Sequence, residues 1–119
     1  MLLVRRGTMR RASLNPQQCA KMLRVIGDNT RYRIVQTLLS REQCVGDLVR
    51  IVKTSQPHVS HHLRVLREAG LVQGIREGQR ICYRLVPAVQ EHLTGTKGAA
   101  LDFGCCKISF SRSALVAKS

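Results

Sequence analysis

A capped helix that ends at a glycine and continues into alternating strands is the feature that most constrains the fold. Ser55 can cap a helix, and Pro57 is tolerated because its missing N–H falls in the first turn. Gly70 is placed to end this helix in the left-handed conformation. Residues 71–85, LVQGIREGQRICYRL, then change to an alternating period around Gly78, which predicts a β-hairpin.

Three further segments before this unit have helical periodicity. Residues 15–26 predict a helix with Pro16 in its first turn, and Asn29 or Thr30 can cap a second helix. Residues 42–52, EQCVGDLVRIV, predict a third and shorter helix. The fold class is therefore mainly α with a small β-hairpin, a winged helix-turn-helix. Because 119 residues bury only a modest core, added stability from a second chain is plausible, and the first helix and the segment after Pro87 would supply the interface.

The pattern divides the chain into three parts. Residues 1–14 contain four arginines and no apolar run typical of a secretory signal, so they predict a basic mobile arm, with Met9 as an alternative start. Residues 15–95 form the winged helix-turn-helix domain, and residues 96–119 form a carboxy-terminal tail that contains cysteines. Within the last third, PAVQEHL predicts a short helix, and LDFGCCKISF predicts a short strand or an ordered tail.

The charge balance favours a nucleic-acid partner. Twenty Lys and Arg stand against seven Asp and Glu, a formal net charge of +13. No apolar run of about 20 residues exists to span a membrane. Two Tyr, two Phe and no Trp argue against a stacking platform for single strands. We therefore expect a cytoplasmic protein that binds double-stranded DNA and has no membrane partner.

The polar face of the capped helix predicts which side chains read DNA. The amino-terminal half of such a helix enters the major groove, where glutamine reads adenine and arginine reads guanine or phosphate. Two arginines beside the hairpin tip are placed to meet phosphate or the minor groove. The predicted DNA-binding residues are Ser55, Gln56, His58, Ser60, His61, Arg64, Arg76 and Arg80.

Two other kinds of site receive less support. His58, His61 and His62 have a spacing that could chelate Zn²⁺ on one helix face. No carboxylate or thiol lies near them in sequence, so a face that meets DNA is the preferred interpretation. A serine hydrolase is not expected, because the chain contains no G-x-S-x-G motif. We predict that the protein is not an enzyme.

Five cysteines give an odd number and no evenly spaced disulfide framework, so we expect reduced thiols. Cys44 stands where a helix usually places Ser or Thr, with Asp47 three residues later, in a pattern that resembles a capping box. A helix amino-terminus favours the thiolate, which would favour ligation or oxidation of Cys44, although a small packing residue remains the alternative. Cys19 and Cys82 lie within apolar patterns and are interpreted as packing residues.

Four linked motifs resemble one family. GDNTRYRIVQTLL, CVGDL, SQPHVSHHLRVLREAGLV and REGQRICYRL occur in an order and spacing similar to those of the ArsR/SmtB family of metal- and metalloid-responsive repressors. The resemblance covers about residues 16–86. It implies a homodimer that binds a palindromic operator and releases it when an inducer binds.

The resemblance also indicates where an inducer could bind. The family's arsenic site, a Cys-Val-Cys stretch with another Cys beyond, is reduced here to Cys44. Its carboxy-terminal zinc site needs Asp and His on a long last helix, and this region offers only Glu91, His92 and Asp102. The adjacent Cys105 and Cys106 are similar to vicinal thiols near the carboxy terminus of some arsenic-sensing members.

We expect Cys105 and Cys106, joined by Cys44, to bind As(III) or Sb(III), because three thiolates suit a soft pyramidal centre. No cofactor is required for DNA binding. Zn(II) or Cd(II) is less favoured and would need a fourth ligand such as His92 or Asp102. A redox or persulfide sensor would need only Cys44 and one cysteine of the pair. A non-specific basic nucleic-acid-binding protein is the alternative from another class.

Overall fold

The structure is a computed structural model that describes residues 14–90, 93–94 and 100–110. The helices of this part are α1 (Pro16–Ile26), α2 (Asn29–Leu38), α3 (Val45–Val52), α4 (Gln56–Glu68) and α5 (Pro87–Gln90). The strands are β1 (Gln43–Cys44), β2 (Val72–Glu77), β3 (Arg80–Leu85), β4 (Leu93–Thr94), β5 (Ala100–Asp102) and β6 (Lys107–Ser109). The predicted winged helix-turn-helix is confirmed. The predicted basic arm lies outside the described residues, except for Leu14, which packs against the core.

Side-chain caps fix the starts of α1 and α2. Asn15 and the glutamine three residues later form a capping box, with hydrogen bonds of 2.8 and 2.9 Å. The Asp28 carboxylate accepts from the N–H groups of Thr30 and Arg31, at 2.9 and 3.1 Å, and so caps α2. The predicted cap at Asn29 or Thr30 is therefore wrong. Asp28 takes this position because one of its oxygens accepts both amides.

The helix-turn-helix consists of α3, a short turn and α4. Only half of the predicted capping box forms at α3: the Cys44 N–H lies against the Asp47 carboxylate, but the Cys44 sulfur caps nothing. Lys53 ends α3 at a φ of 57°, which is the left-handed region. Ser55 caps α4 by accepting from the N–H three residues later, at 3.3 Å. Gly70 has a φ of +84° and ends the unit as predicted.

The predicted hairpin forms the wing, a three-stranded antiparallel sheet in the order β1-β3-β2. Gly78 turns the chain at the tip with a φ of +66°. The sequence predicts Ile81, Tyr83 and Leu85 as the alternating apolar set. Leu85 is buried, but Ile81 is 42% exposed and Cys82 is buried instead. The reason is that Ile81 lies next to the exposed hairpin tip, whereas Leu85 lies at the other end of β3 and belongs to the main core.

The segment expected to be a cysteine-containing tail adds a second small sheet to the domain. Its strand order is β4-β5-β6, so that β4 pairs with β5 across the expected boundary after residue 95. Leu101, Phe103 and Phe110 are each at most 2% exposed and belong to the main core. Phe110 stacks on Tyr32 of α2 with ring centroids 5.1 Å apart. Residues 100–110 are therefore part of the folded unit.

The core lies between the helices, the wing and the second sheet. Each fully buried aliphatic side chain contributes about 1.5–3 kcal/mol relative to an exposed one. Among the described residues, no helix is long and apolar enough to cross a membrane. The largest fully buried side chains are Ile34, Val35, Leu48, Val59, Leu63, Leu66, Leu71, Val72, Cys82 and Leu101.

Candidate nucleic-acid interface and cysteine sites

One face of α4 is polar and open to solvent. The opposite face buries Val59, Leu63 and Leu66 in the core, so the helix is held rigidly with its polar side outward. Ser55 is also exposed, although its hydroxyl oxygen is used as the cap. Five predicted DNA-binding residues on α4 are exposed together: Gln56, His58, Ser60, His61 and Arg64.

The wing presents two exposed arginines on either side of its tip. Arg76 pairs with Ile81 across the hairpin and donates to the Gly78 carbonyl at 3.3 Å. Arg80 has a side chain that is 67% exposed and lies 3.7 Å from the Asp47 carboxylate. Both guanidinium groups can therefore reach an anionic partner from the side of the wing.

A groove of about 600 Å³ lies between α4, the start of α3 and the wing. Asp47 lines the groove and forms ion pairs with Arg50 and Arg80. The Arg50 guanidinium, assisted by the Cys44 N–H, lowers the pKa of Asp47 below 3.8. The side chains that line the groove include Cys44, Asp47, Gln56, Ser60, Arg80 and Tyr83.

The three histidines of α4 have different environments. His58 and His61 are exposed, but His62 is 6% exposed and faces the capped end of α2. Its Nδ1 lies 2.9 Å from the Arg31 guanidinium and 3.8 Å from the Asp28 carboxylate, and its Nε2 lies 3.3 Å from Nε2 of His58. Among the described residues, the groups of three or more candidate metal ligands include none of these histidines.

Geometry and burial keep His62 neutral. A guanidinium can only donate, so Nδ1 of His62 accepts from Arg31 and its proton resides on Nε2, which donates to His58. Burial lowers the pKa of His62 below 6.5; the Asp28 charge opposes this, and the charges of His58, Arg31 and His61 add to it. Burial also raises the pKa of Asp28, but the Arg31 N–H, the charges of His62 and Arg31 and the Thr30 N–H together bring that pKa below 3.8.

Three sulfurs meet where the second sheet packs on α1. Cys19 is 6% exposed, and a disulfide joins it to Cys105, with a Cα–Cα distance of 6.3 Å. The Cys106 thiol is free and lies 3.1 Å from the Cys19 sulfur. We call Cys19, Cys105 and Cys106 the C-terminal cluster. Its sulfurs lie within 4.8 Å of one another, which is close enough to share one soft ion after reduction.

Two further sulfurs meet at the base of the wing. Cys44 on β1 and Cys82 on β3 are direct partners in the strand register and are joined by a disulfide. The Cys82 sulfur lies 3.7 Å from the Glu77 carboxylate. We call Cys44 and Cys82 the wing-root pair.

The predicted ligand set of Cys44, Cys105 and Cys106 is not brought together within the chain. Cys44 is bonded to Cys82, and Cys19 takes the place expected for it beside the C-terminal pair. Cys19 and Cys82 are buried, as their interpretation as packing residues implies, but each also contacts other sulfurs. The expectation of reduced thiols is wrong for four of the five cysteines in this structure.

Sequence reasoning missed both partners for physical reasons. β1 contains only two residues, which is too short to give a periodic signal, so the pairing of Cys44 with Cys82 could not be foreseen. Cys19 was visible on the apolar face of the first helix. Its meeting with Cys106 depends on how the last strands fold back, which no local pattern specifies.

A helix-turn-helix with an exposed second helix and a basic wing defines the class of winged DNA-binding regulators. Residues 28–73 match the profile of the family described as "Bacterial regulatory protein, arsR family". The chain belongs to this arsR family. The resemblance seen in the motifs is thereby confirmed.

Two curated relatives illustrate the match. The chain is 37% identical over 75 residues to a "Cadmium resistance transcriptional regulatory protein CadC homolog" of Staphylococcus aureus. It is 40% identical over 83 residues to the "Arsenic resistance transcriptional regulator ArsR1" of Pseudomonas putida. The matches cover 62% and 68% of this chain but only 62% and 64% of these relatives. Both relatives are named as transcriptional regulators and not as enzymes.

Solved structures agree with the fold. The transcriptional repressor BigR from Xylella fastidiosa is 34% identical with a TM-score of 0.58, over 71% of this chain and 82% of that one. A DNA-binding domain of Mb0332 from Mycobacterium bovis, described as homodimeric and as a possible ArsR-family regulator, is 25% identical with a TM-score of 0.54. That match covers 62% of this chain and 74% of that one.

Proposed function

We propose that the chain is a transcriptional repressor that binds a specific sequence in duplex DNA. The observation that carries this proposal is the rigid α4 with its exposed polar face, set beside the two arginines of the wing. Gln56 and Arg64 supply side chains suited to base edges, whereas Arg76 and Arg80 supply charge suited to phosphate. The net charge of +13 alone would equally support non-specific binding. The exposed polar face of α4 is the feature that favours recognition of a specific DNA sequence.

The repressor acts as a homodimer in this proposal. Two copies would place two α4 helices at successive half-sites of a palindromic operator. The homodimeric relative from Mycobacterium bovis supports the assembly. Leu23 of α1 is 47% exposed, which supplies an apolar side chain for the expected interface. We place the protein in the cytoplasm, where it would meet its operator.

Substitution of base-reading and phosphate-binding residues tests the proposal. Duplexes selected from a random library would be compared with unselected duplexes by fluorescence anisotropy at several salt concentrations. Gln56→Ala should cost about 1–3 kcal/mol on selected duplexes and relax the preference at one position. Arg80→Ala should weaken all duplexes alike and reduce the salt slope by about 1. Gln17→Ala on the exposed side of α1 is the matched control.

The two variants must behave differently for the proposal to stand. If Gln56→Ala and Arg80→Ala weaken selected and unselected duplexes equally, binding is electrostatic only. The protein would then be a non-specific basic nucleic-acid-binding protein. Loss of binding in Gln17→Ala would indicate that the measured effects report folding or dimerisation, because Gln17 lies on α1.

We propose further that a thiophilic inducer releases the DNA by binding at Cys105 and Cys106. As(III) or Sb(III) is favoured, because the C-terminal cluster supplies Cys19 as a third sulfur and three thiolates suit a pyramidal centre. The arsenic and cadmium named for the relatives are consistent with a soft ion. Reduction of the bond between Cys19 and Cys105 would precede binding. Each As–S bond would then replace an As–OH bond and release one water.

Two alternatives use the same cluster. The disulfide beside the free Cys106 thiol favours a redox or persulfide sensor, now without Cys44. Zn(II) or Cd(II) would want a fourth ligand. His92 lies outside the described residues, and the Asp102 carboxylate accepts from the Gly104 N–H at 2.9 Å within the turn.

A gel-shift titration separates the inducers. Arsenite, cadmium and a polysulfide would each be added to the reduced protein bound to a selected duplex. We expect arsenite to release the DNA at the lowest concentration. Release by polysulfide alone would favour the persulfide sensor, and release by none of the three would contradict the inducer proposal.

A further inference from the structure

The wing-root pair connects the start of the helix-turn-helix to the middle of the wing. Cys44 ends β1 and is the N-cap of α3, so it stands directly before the helix-turn-helix. Cys82 lies in the middle of β3 and is 1% exposed. The chain between the two cysteines contains α3, the turn, α4, β2 and the tip of the wing. A bond between them therefore closes a ring around the whole DNA-reading unit.

The same pair borders the groove in which that unit would meet DNA. Cys44 lines the groove together with Gln56 and Ser60 of α4 and Arg80 of the wing. Without the bond, β1 is held to β3 by a pairing of only two residues. The disulfide therefore adds a covalent tie between the start of α3 and the strand that contains Arg80.

The surroundings give the two thiols different reactivity. Cys44 is half-buried at the start of a helix, where the helix dipole favours the thiolate. Cys82 is buried and directs its sulfur at the Glu77 carboxylate, which can accept a proton from it. Cys44 is therefore suited to react first with an oxidant, and Cys82 is suited to complete the bond.

We propose that the wing-root pair is a redox-active dithiol that controls DNA affinity independently of the C-terminal cluster. The proposal rests on the proposed DNA binding but not on the proposed inducer. The oxidant is hydrogen peroxide. Its O–O bond breaks as the Cys44 thiolate takes one oxygen to become a sulfenic acid, and the other oxygen leaves as hydroxide. The Cys82 sulfur then attacks the Cys44 sulfur, its proton passes through Glu77 to the departing hydroxide, and one water leaves.

The oxidised state is the one that binds DNA more tightly. The bond holds the start of α3 against the wing, so that α4 and Arg80 keep the spacing that one duplex face requires. Ordering these elements before binding lowers the entropy cost at the moment of binding. Reduction by a dithiol returns both thiols, lets β1 separate from β3 and weakens the complex several-fold.

Peptide mapping and DNA binding together test the proposal. Full-length wild-type protein would be reduced, treated with hydrogen peroxide, alkylated and digested without reductant for mass spectrometry. We expect a peptide linked through Cys44 and Cys82, and a several-fold lower Kd for a selected duplex after oxidation. Cys19→Ser, which removes the helix-side sulfur of the C-terminal cluster, should keep this change, and Cys44→Ser should lose it. Glu77→Gln should slow formation of the link.

Three outcomes would overturn the proposal: no linked peptide, a link without a change in Kd, or a change in Kd that persists in Cys44→Ser. Because Cys82 is buried, its substitution is not needed for the decision. Failure of the proposed function gives a different result. In that case neither redox state of the wild type binds any duplex, whereas the linked peptide still forms.

Discussion

The C-terminal cluster and the wing-root pair use the same side chain under different constraints. In the C-terminal cluster, the sulfurs come from a helix and a distant hairpin, and packing of buried aromatic and aliphatic side chains brings them together. In the wing-root pair, they come from neighbouring strands, and the register alone brings them together. The first site offers three sulfurs and the second offers two beside a carboxylate. Three thiolates suit coordination of a soft ion such as As(III), whereas two thiols suit formation of a disulfide by two-electron oxidation.

Because packing holds the C-terminal cluster together and strand register holds the wing-root pair, loss of a core side chain should disturb the C-terminal cluster more. Leu101→Ala removes a fully buried side chain from β5, which should destabilise the protein by about 2–5 kcal/mol. The second sheet should loosen first, since its strands contain only two or three residues. Urea unfolding would measure the stability, and differential alkylation would measure thiol exposure. In the reduced protein, we expect the buried Cys19 thiol to become reactive while the wing-root pair stays protected. Simultaneous exposure of both sites would show that they do not differ in this way.

Ligand number should separate the two sites in their response to arsenite. Cys19→Ser leaves two sulfurs in the C-terminal cluster. The arsenite concentration needed to release DNA should rise at least about tenfold, because loss of even an outer-shell partner of a metal ligand costs about that much. Cys44→Ser is the matched control at the other site and should keep the wild-type concentration. The gel-shift titration described above gives both values. An equal loss in the two variants would mean that Cys44 contributes to the inducer site, through the partner of a dimer.

The third and smallest expected effect concerns pH and involves neither cysteine site. Because burial lowers the pKa of His62, the unfolded state binds more protons than the folded state below about pH 6.5. Stability should therefore be complete above that pH and decrease as the pH falls toward the folded pKa. Each pKa unit corresponds to only about 1.4 kcal/mol.

His62→Gln keeps a polar side chain and should flatten the pH dependence of the melting temperature between about pH 8 and pH 5.5. His61→Gln, at an exposed neighbour, is the control and should leave the slope unchanged. A steep slope that remains in His62→Gln would assign the effect to another group.

The helix-turn-helix could be predicted from sequence because local chemistry specifies it. Ser55 caps α4 and Gly70 ends it, and both act within a few residues of their own position. The exposed polar face follows from helical periodicity, since burial of Val59, Leu63 and Leu66 directs the remaining side chains outward. These signals are contained in the segment itself.

The cysteine sites could not be predicted because their geometry depends on contacts between distant segments. The bond from Cys19 to Cys105 spans 86 residues, and the bond from Cys44 to Cys82 spans 38. His62 is likewise buried beside Asp28, which caps another helix, and the sequence pattern of neither helix indicates this contact. The cap of α2 is Asp28 and not the predicted Asn29 or Thr30, because several neighbouring polar residues can each serve as a cap.

Arg31 connects α1 to α4 through two hydrogen bonds. Its Nε donates to the Val25 carbonyl near the end of α1, and its guanidinium also donates to Nδ1 of His62 on α4. Any rotation of α1 against α4 must either break these contacts or carry α4 with it. Cys19 lies at the opposite end of α1. A pull on its sulfur would therefore reach α4 through α1 and the two hydrogen bonds of Arg31.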